Sequence, residues 1–411
     1  SDVCSSDLSL IVSNAGNYSS PTFSANTVSP VTLVDNTYNS LVFPMPQKNI
    51  SNVSSVNYVT TRLYSVSSFS GGTTTITTNG ANETFVGGSG AISSAQRQQN
   101  FIVVVGTTNG SYTAGQFIPM DQANVVININ NAALTPQATI NIGGGFTGSA
   151  TIYATISVVG DTPKSKVLNA NTYVNVSANT VGTPIDLGKS DIYNFNGIYE
   201  IGNNTFGLWS SGTTYAANNT VLYTDNNVYI SLQNSNANNQ PNTAITYWSP
   251  LSNNSANYLT DNGQRDTFYD HGKITNISGS PKGNVIVVFD YFTHSGGTGF
   301  FDVNSYPVSY SNIPSFTSPQ YGATYSLRDV LDFRPRVTDG IGVTSLDTFQ
   351  LPAPFNNVFT NYGYYLSRID KIVLYRNGQF RTIRGTSAYT NPVAPSDVPG
   401  TLTLFTIYYP A

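Results

Sequence analysis

The 411 residues include only one cysteine, two histidines, two tryptophans and two methionines. A single thiol excludes a disulfide framework, and with it a small secreted disulfide scaffold. Charge is nearly as scarce. Asp, Glu, Lys and Arg make up 9% of the chain, against about a quarter in an ordinary globular domain. With a net charge of -4 and dispersed Lys and Arg, there is no basic face to make nucleic acid a main partner. No uninterrupted apolar run approaches about 18 residues, so no membrane-spanning helix is expected. Helical periodicity is almost absent, which limits helix to single turns such as one near Ser326 to Phe333. Gly-x-Ser-x-Gly, His-Glu-x-x-His, P-loop and dinucleotide fingerprints are all missing.

What fills the chain is Ser, Thr, Asn, Gly, Tyr and Val, with 35 Gly, 27 Tyr and 21 Pro. Thr, Val and Tyr favour pleated surfaces, while Asn, Gly and Pro supply turns. The composition predicts an all-β protein of several antiparallel, sandwich-like domains plus a small three-stranded, aromatic-cored insert. Asn57 to Tyr64, Thr73 to Thr78, Phe101 to Val105 and Val125 to Ile129 read as strands. From Thr151 to Val158, Ile152, Ala154, Ile156 and Val158 alternate with Thr151, Tyr153, Thr155 and Ser157, the pattern of a half-buried strand. Asn284 to Phe292 is the most apolar run and is placed at the centre of a sheet. Asn377-Gly378 between two strand-like runs predicts a hairpin with both turn residues at positive φ. The organisation read from these signals is 9–187, 203–251, 258–340 and 341–411, the last a hairpin region. Residues 1–8, Ser-Asp-Val-Cys-Ser-Ser-Asp-Leu, read as a translated sequencing adapter at the end of a metagenomic contig. Cys4 is then an artefact, genuine protein begins near Ser9, and the net charge without Asp2 and Asp7 falls to -2. The last segment, Pro392 to Ala411, reads as truncated.

The little charge there is gathers in islands. Five of the nine residues from Arg328 to Arg336 are charged: Arg328, Asp329, Asp332, Arg334 and Arg336. Arg265 and Asp266 sit in a second island that runs to Asp270 and His271, and Arg368, Asp370 and Lys371 form a third. In so uncharged a chain these groups are expected to pair as struts, because a lone buried charge is too costly to keep. His271 and His294, with Asp266, Asp270 and Asp290, are the groups in this sequence suited to acid–base or metal chemistry. Structural hydrogen bonding accounts for them better, so no catalytic residue, metal or cofactor is assigned. The Asn-x-Ser/Thr sequons arise by chance in a chain this rich in Asn, Ser and Thr.

The stretch 203–251 holds both tryptophans. Trp209-Ser-Ser-Gly-Thr-Thr-Tyr215 leads to Tyr223, Tyr229 and finally Trp248. A small unit with few aliphatic residues needs such rings as its core. The spacing resembles the small chitin-binding-type carbohydrate-binding modules found on chitinases and phage tail proteins. The resemblance implies that Trp209, Tyr215, Tyr223, Tyr229 and Trp248 are mostly packing framework and the candidate carbohydrate-binding residues. Where chitin-binding members carry their stacking aromatics, this chain has Ile230, Ser231, Leu232 and Gln233.

Four segments in order carry a second resemblance: Leu41 to Pro46, Asp261 to Asp270, Leu327 to Pro335 and Tyr365 to Leu374. Together they resemble a family of uncharacterised virion structural proteins from contractile-tailed phages of marine bacteria, usually placed in the tail or baseplate. The resemblance implies a non-enzymatic tail or baseplate protein, synthesised in the host cytoplasm and carried in the virion. Its partners would be other tail proteins and further copies of itself, with the 203–251 module inserted. Two alternatives remain: a tail adhesion protein that binds a host-surface polysaccharide, or the binding part of a secreted polysaccharide-degrading enzyme. Tail sheath, tube or baseplate genes beside the coding sequence would separate the first two from the third.

Overall fold

The computed structural model describes residues 40–80, 82–294, 299–346, 351–353 and 356–410, and the backbone of three strands nearer the N-terminus, Val3–Ser13, Thr22–Ala25 and Val31–Thr32. The side chains of Cys4, Asp2 and Asp7 lie outside the described residues. The chain is all-β, built of mostly antiparallel sheets with little helix.

Two long strands, Ile50–Phe69 and Gly148–Asp161, pair along most of their length. Glu83–Phe85 and Phe101–Val105 add to the free edge of Gly148–Asp161. The alternation read from Thr151 to Val158 is what buries Ile152, Ala154, Ile156 and Val158. They meet Ile76, Ile127, Ile129, Ala138 and Ile140 from a facing four-stranded sheet, and the two layers share one core. A two-turn helix, Ser94–Asn100, crosses beside them, longer than the single turns expected. Its start is fixed by Ser93 and Gln96, whose side chains each bond the other's backbone N–H.

A second body centres on Asn284–His294, flanked by Lys166–Ser177 and Ile192–Gly202. Its side chains bury on both faces, as its unbroken apolar run requires. Val285, Val287, Phe289 and Tyr291 pack with Ile274, Leu187 and Tyr258 of a neighbouring sheet. Ile286 and Val288 face the other way, against Leu222 and Val228 of the 203–251 module.

That module has a four-stranded sheet, not three. The additional strand, Phe206–Leu208, pairs parallel to Thr220–Leu222, followed by Val228–Ser231 and Trp248–Pro250. The module leaves and returns at one place: Asn254 N–H donates to the Ile198 carbonyl at 2.7 Å. It has its own core of Tyr215, Val221, Tyr229 and Trp248. It is also seated on the host sheet through Leu222 and Val228, so it does not simply project.

The divisions at 187, 258 and 341 are not where the sheets divide. Lys166–Ser177 and Pro184–Ser190 pair with Asn284–His294 and His271–Asn276. Val358–Tyr365 pairs with Ile50–Phe69, and Val42–Pro44 with Val330–Asp332. The C-terminal region is a three-stranded sheet in which Arg368–Tyr375 lies between Phe380–Ile383 and Thr401–Tyr409. Its Asn377-Gly378 turn has only Gly378 at positive φ, +80°. Asn377 instead accepts the Gln379 N–H with its side chain at 3.1 Å, which closes the turn without a left-handed Asn. No helix among the described residues is long and apolar enough to cross a membrane.

Candidate functional site: a buried charged junction

Three segments far apart in sequence meet: Leu41 to Pro46, Asp261 to Asp270 and Leu327 to Pro335. The Leu41 N–H donates to the Asp266 carbonyl at 2.9 Å, and the Phe333 N–H to the Leu41 carbonyl at 3.0 Å. The Met45 N–H bonds the Asp329 carbonyl at 2.8 Å, and the Ile50 N–H bonds the Asp329 carboxylate at 3.0 Å. The Tyr269 N–H reaches the Pro335 carbonyl at 2.8 Å.

At the centre is Arg334, wholly buried. Its Nη2 and Nε reach the Asp332 carboxylate at 2.8 and 2.9 Å, and its own N–H adds a third bond at 3.0 Å. Nη1 donates to the Arg265 carbonyl at 2.9 Å and Nη2 also to the Tyr269 hydroxyl at 3.1 Å. The guanidinium lies against the rings of Tyr269 and Phe316, 4.2 and 4.4 Å from their centroids. Tyr269 in turn hydrogen-bonds Asp332. Burial alone would raise the Asp332 pKa, but the adjacent Arg334 outweighs it and holds the carboxyl below its usual range. Burial pushes the Tyr269 and Tyr306 hydroxyls well up, so both stay neutral.

A second ion pair touches the first. Lys166 Nζ is 2.6 Å from Asp191 Oδ2 and 3.2 Å from the Tyr269 hydroxyl. Gln264 Nε2 donates to Asp191 Oδ1 at 3.3 Å. The rings of Tyr269, Phe301, Tyr306 and Phe292 stand 4.5 to 5.4 Å from the Lys166 nitrogen. Burial lowers the pKa of Lys166 despite the two carboxylates near it. Lys166 and Asp191 each lie in a short charged stretch, with Asp161 and Lys164 before the one and Asp186 and Lys189 before the other, and neither is among the residues expected to pair.

The remaining charged residues are placed less centrally. Arg336 pairs with Asp339 and donates to Ser190 Oγ at 2.9 Å. Arg328 donates to Asn49 at 3.1 Å, lies 3.7 Å from Asp329 and covers the Tyr310 ring. Arg265 does not pair with its neighbour Asp266. It takes Asp261 at 2.6 Å and Asp270 at 3.2 Å, because residues adjacent in this extended loop point apart. Asp266 contributes its carbonyl, to Leu41 and Ser40, and makes no ion pair among the described residues. His271 is held between Asp186 and the Thr338 carbonyl, and His294 packs on Phe301. No group of three potential metal ligands occurs among the described residues. In the third island, Arg368 and Asp370 pair at 2.8 Å.

In the module the five rings interlock. Trp209 meets Tyr223 and Tyr215 meets Trp248, with ring planes 83° and 68° apart. Tyr223 and Tyr229 are at 88°. Both indole N–H groups converge on one acceptor, the Asn239 carbonyl, at 3.1 and 2.9 Å. Tyr215, Tyr229 and Trp248 are buried, and Trp209 and Tyr223 half-buried. Such edge-to-face packing makes a core; a sugar platform needs exposed ring faces in one plane.

Residues 290–411 are similar to a family described as a domain of unknown function (DUF4815). That span takes in the Leu327 to Pro335 segment and the C-terminal sheet. No curated protein and no solved structure matches the chain.

Proposed function

We propose that this chain is a non-enzymatic structural protein of a phage tail or baseplate, whose partners are other tail proteins and further copies of itself. The observation that carries this reading is the junction. The Leu327 to Pro335 segment buries the Asp332–Arg334 ion pair, and Arg334 also bonds the Arg265 carbonyl of the Asp261 to Asp270 segment, which fixes the two segments against each other. The C-terminal sheet adds support. It leaves Phe380 and Phe405 67% and 63% exposed, along with Leu402 and Tyr408, surface that a neighbouring subunit would cover.

Mass spectrometry of purified virions and immunogold electron microscopy of the particles test the reading. Label on the tail or baseplate is the expected result. A chain abundant in infected cells but missing from purified particles would overturn it. Adhesion to a host polysaccharide is the second reading, favoured by the module's separate core and its two half-buried rings. Retention of the chain on insoluble chitin or another polysaccharide, lost in Trp209→Ala or Tyr223→Ala, would put adhesion first.

A further inference from the structure

Lys166 begins one of the two strands that flank Asn284–His294, opposite His294, and Asp191 immediately precedes the other, Ile192–Gly202, its carbonyl accepting the Phe292 N–H at 3.0 Å. Their side chains meet end to end in a site that water does not reach: both residues are buried, and four rings wall the amine. We infer that this pair is the site of an intramolecular isopeptide bond, an amide between Lys166 Nζ and Asp191 Cγ that ties the two flanking strands together across the central one.

The geometry supplies what such a condensation needs. The amine lies 2.6 Å from one carboxyl oxygen, one bond from the carbon it must attack. Gln264 donates to the other oxygen, Oδ1, which takes up charge in the tetrahedral intermediate and remains as the amide carbonyl. The Tyr269 hydroxyl, 3.2 Å from Nζ and itself fixed by its bond to Asp332, accepts from the amine and holds it against Asp191. The depressed Lys166 pKa favours the neutral amine that attack requires. The step balances without an oxidant or reductant. Proton transfer from ammonium to carboxylate gives amine and acid. The N–C bond then forms and a C–O bond breaks, and the lost oxygen leaves as water with two protons from nitrogen. Both charges disappear from the interior, which removes the desolvation cost of a buried ion pair.

The same rings could instead hold a permanent ammonium ion by their π faces, and a mass measurement separates the two outcomes. The full chain is purified folded, then denatured and digested with trypsin. A branched peptide joining the Lys166 and Asp191 segments is expected, with no cleavage after Lys166 and the loss of one water. Asp191→Ala should restore cleavage and the unlinked mass; Asp191→Asn should give the same amide with loss of ammonia. Cleavage after Lys166, with the Asp191 peptide recovered linear and at full mass from the unsubstituted chain, would overturn the proposal, and that result depends on no variant folding.

Discussion

Removing one partner of the Asp332–Arg334 pair gives the sharpest test of the junction. Asp332 accepts three bonds from Arg334, at 2.8, 2.9 and 3.0 Å, and one from Tyr269. At an effective dielectric of about 20, two charges at this separation attract by roughly 6 kcal/mol. Desolvation of both ions offsets most of that, so the intact pair contributes little net stability. Breaking it is different. Asp332→Ala leaves a buried guanidinium with only the Arg265 carbonyl, the Tyr269 hydroxyl and two ring faces, at a cost of about 3–5 kcal/mol. Arg334→Met should cost a similar amount. The double variant Asp332→Ala with Arg334→Met strands no charge, and its cost should fall well below the sum. Urea unfolding followed by far-UV circular dichroism is the suitable assay, because both tryptophans lie in the 203–251 module and their fluorescence reports that unit. The penalty of Asp332→Ala should also shrink with acid. A carboxyl held below its usual range contributes stability that is present above about pH 4 and lost as pH falls below it. If the single costs add to within about 0.5 kcal/mol in the double variant, the two groups are not coupled and the strut argument fails.

Three further outcomes follow from other sites. Burial raises the Asp302 pKa to about 6, so this group's contribution is fully present below its unfolded value near 4 and is lost as pH rises through about 6. Asp302→Asn should therefore gain on the unsubstituted chain by on the order of 2 kcal/mol between about pH 4 and pH 7 in parallel unfolding curves; a constant difference would show that Asp302 is ionised throughout. Trp248→Ala should destabilise the module by about 3–5 kcal/mol, visible as early loss of the Trp209 emission transition, with the far-UV signal of the remainder retained. Gly263 has φ +81° and a Cβ there would overlap the Asp270 carbonyl; Gly263→Ala should lower the melting temperature by several degrees, and an unchanged value would mean that the loop relaxes freely.

Local chemistry made much of this fold legible. The period-2 pattern at Thr151 to Val158 placed each side chain on its face, and the unbroken run from Asn284 marked a strand buried on both sides. Asn377-Gly378 marked the hairpin but not its turn type, which Gly378 alone satisfies. Charge density pointed to Asp332 and Arg334. Lys166 and Asp191 each end a short charged stretch, Asp161 to Lys166 and Asp186 to Asp191, but nothing local shows that packing joins residues 25 apart. Arg62 and Glu83, another buried pair, are isolated charges and left no local signal. The Ser94–Asn100 helix had only a capping signal, Ser93 to Gln96, and is too short for its periodicity to show. Sheets cross the boundaries at 187, 258 and 341 because strand partners are chosen by burial across the whole chain, which composition along the sequence does not record.

The way distant segments close on each other sets the order in which this protein can be made. The Ile50 amide bonds a carboxylate 279 residues further on, and one edge of Ile50–Phe69 is completed by Val358–Tyr365. At a synthesis rate of about 5–20 residues per second, Ile50 waits roughly a quarter of a minute to a minute for its partner to leave the ribosome. Such non-local pairing is slow to form even once the chain is complete. Throughout that interval the Ile50 to Asn57 part of the strand keeps an open edge to which another strand can bond. Yield in the cell is therefore governed by how well that edge is shielded while the chain grows, so cooler expression or a holding chaperone should raise the soluble fraction more than any substitution that strengthens the finished core.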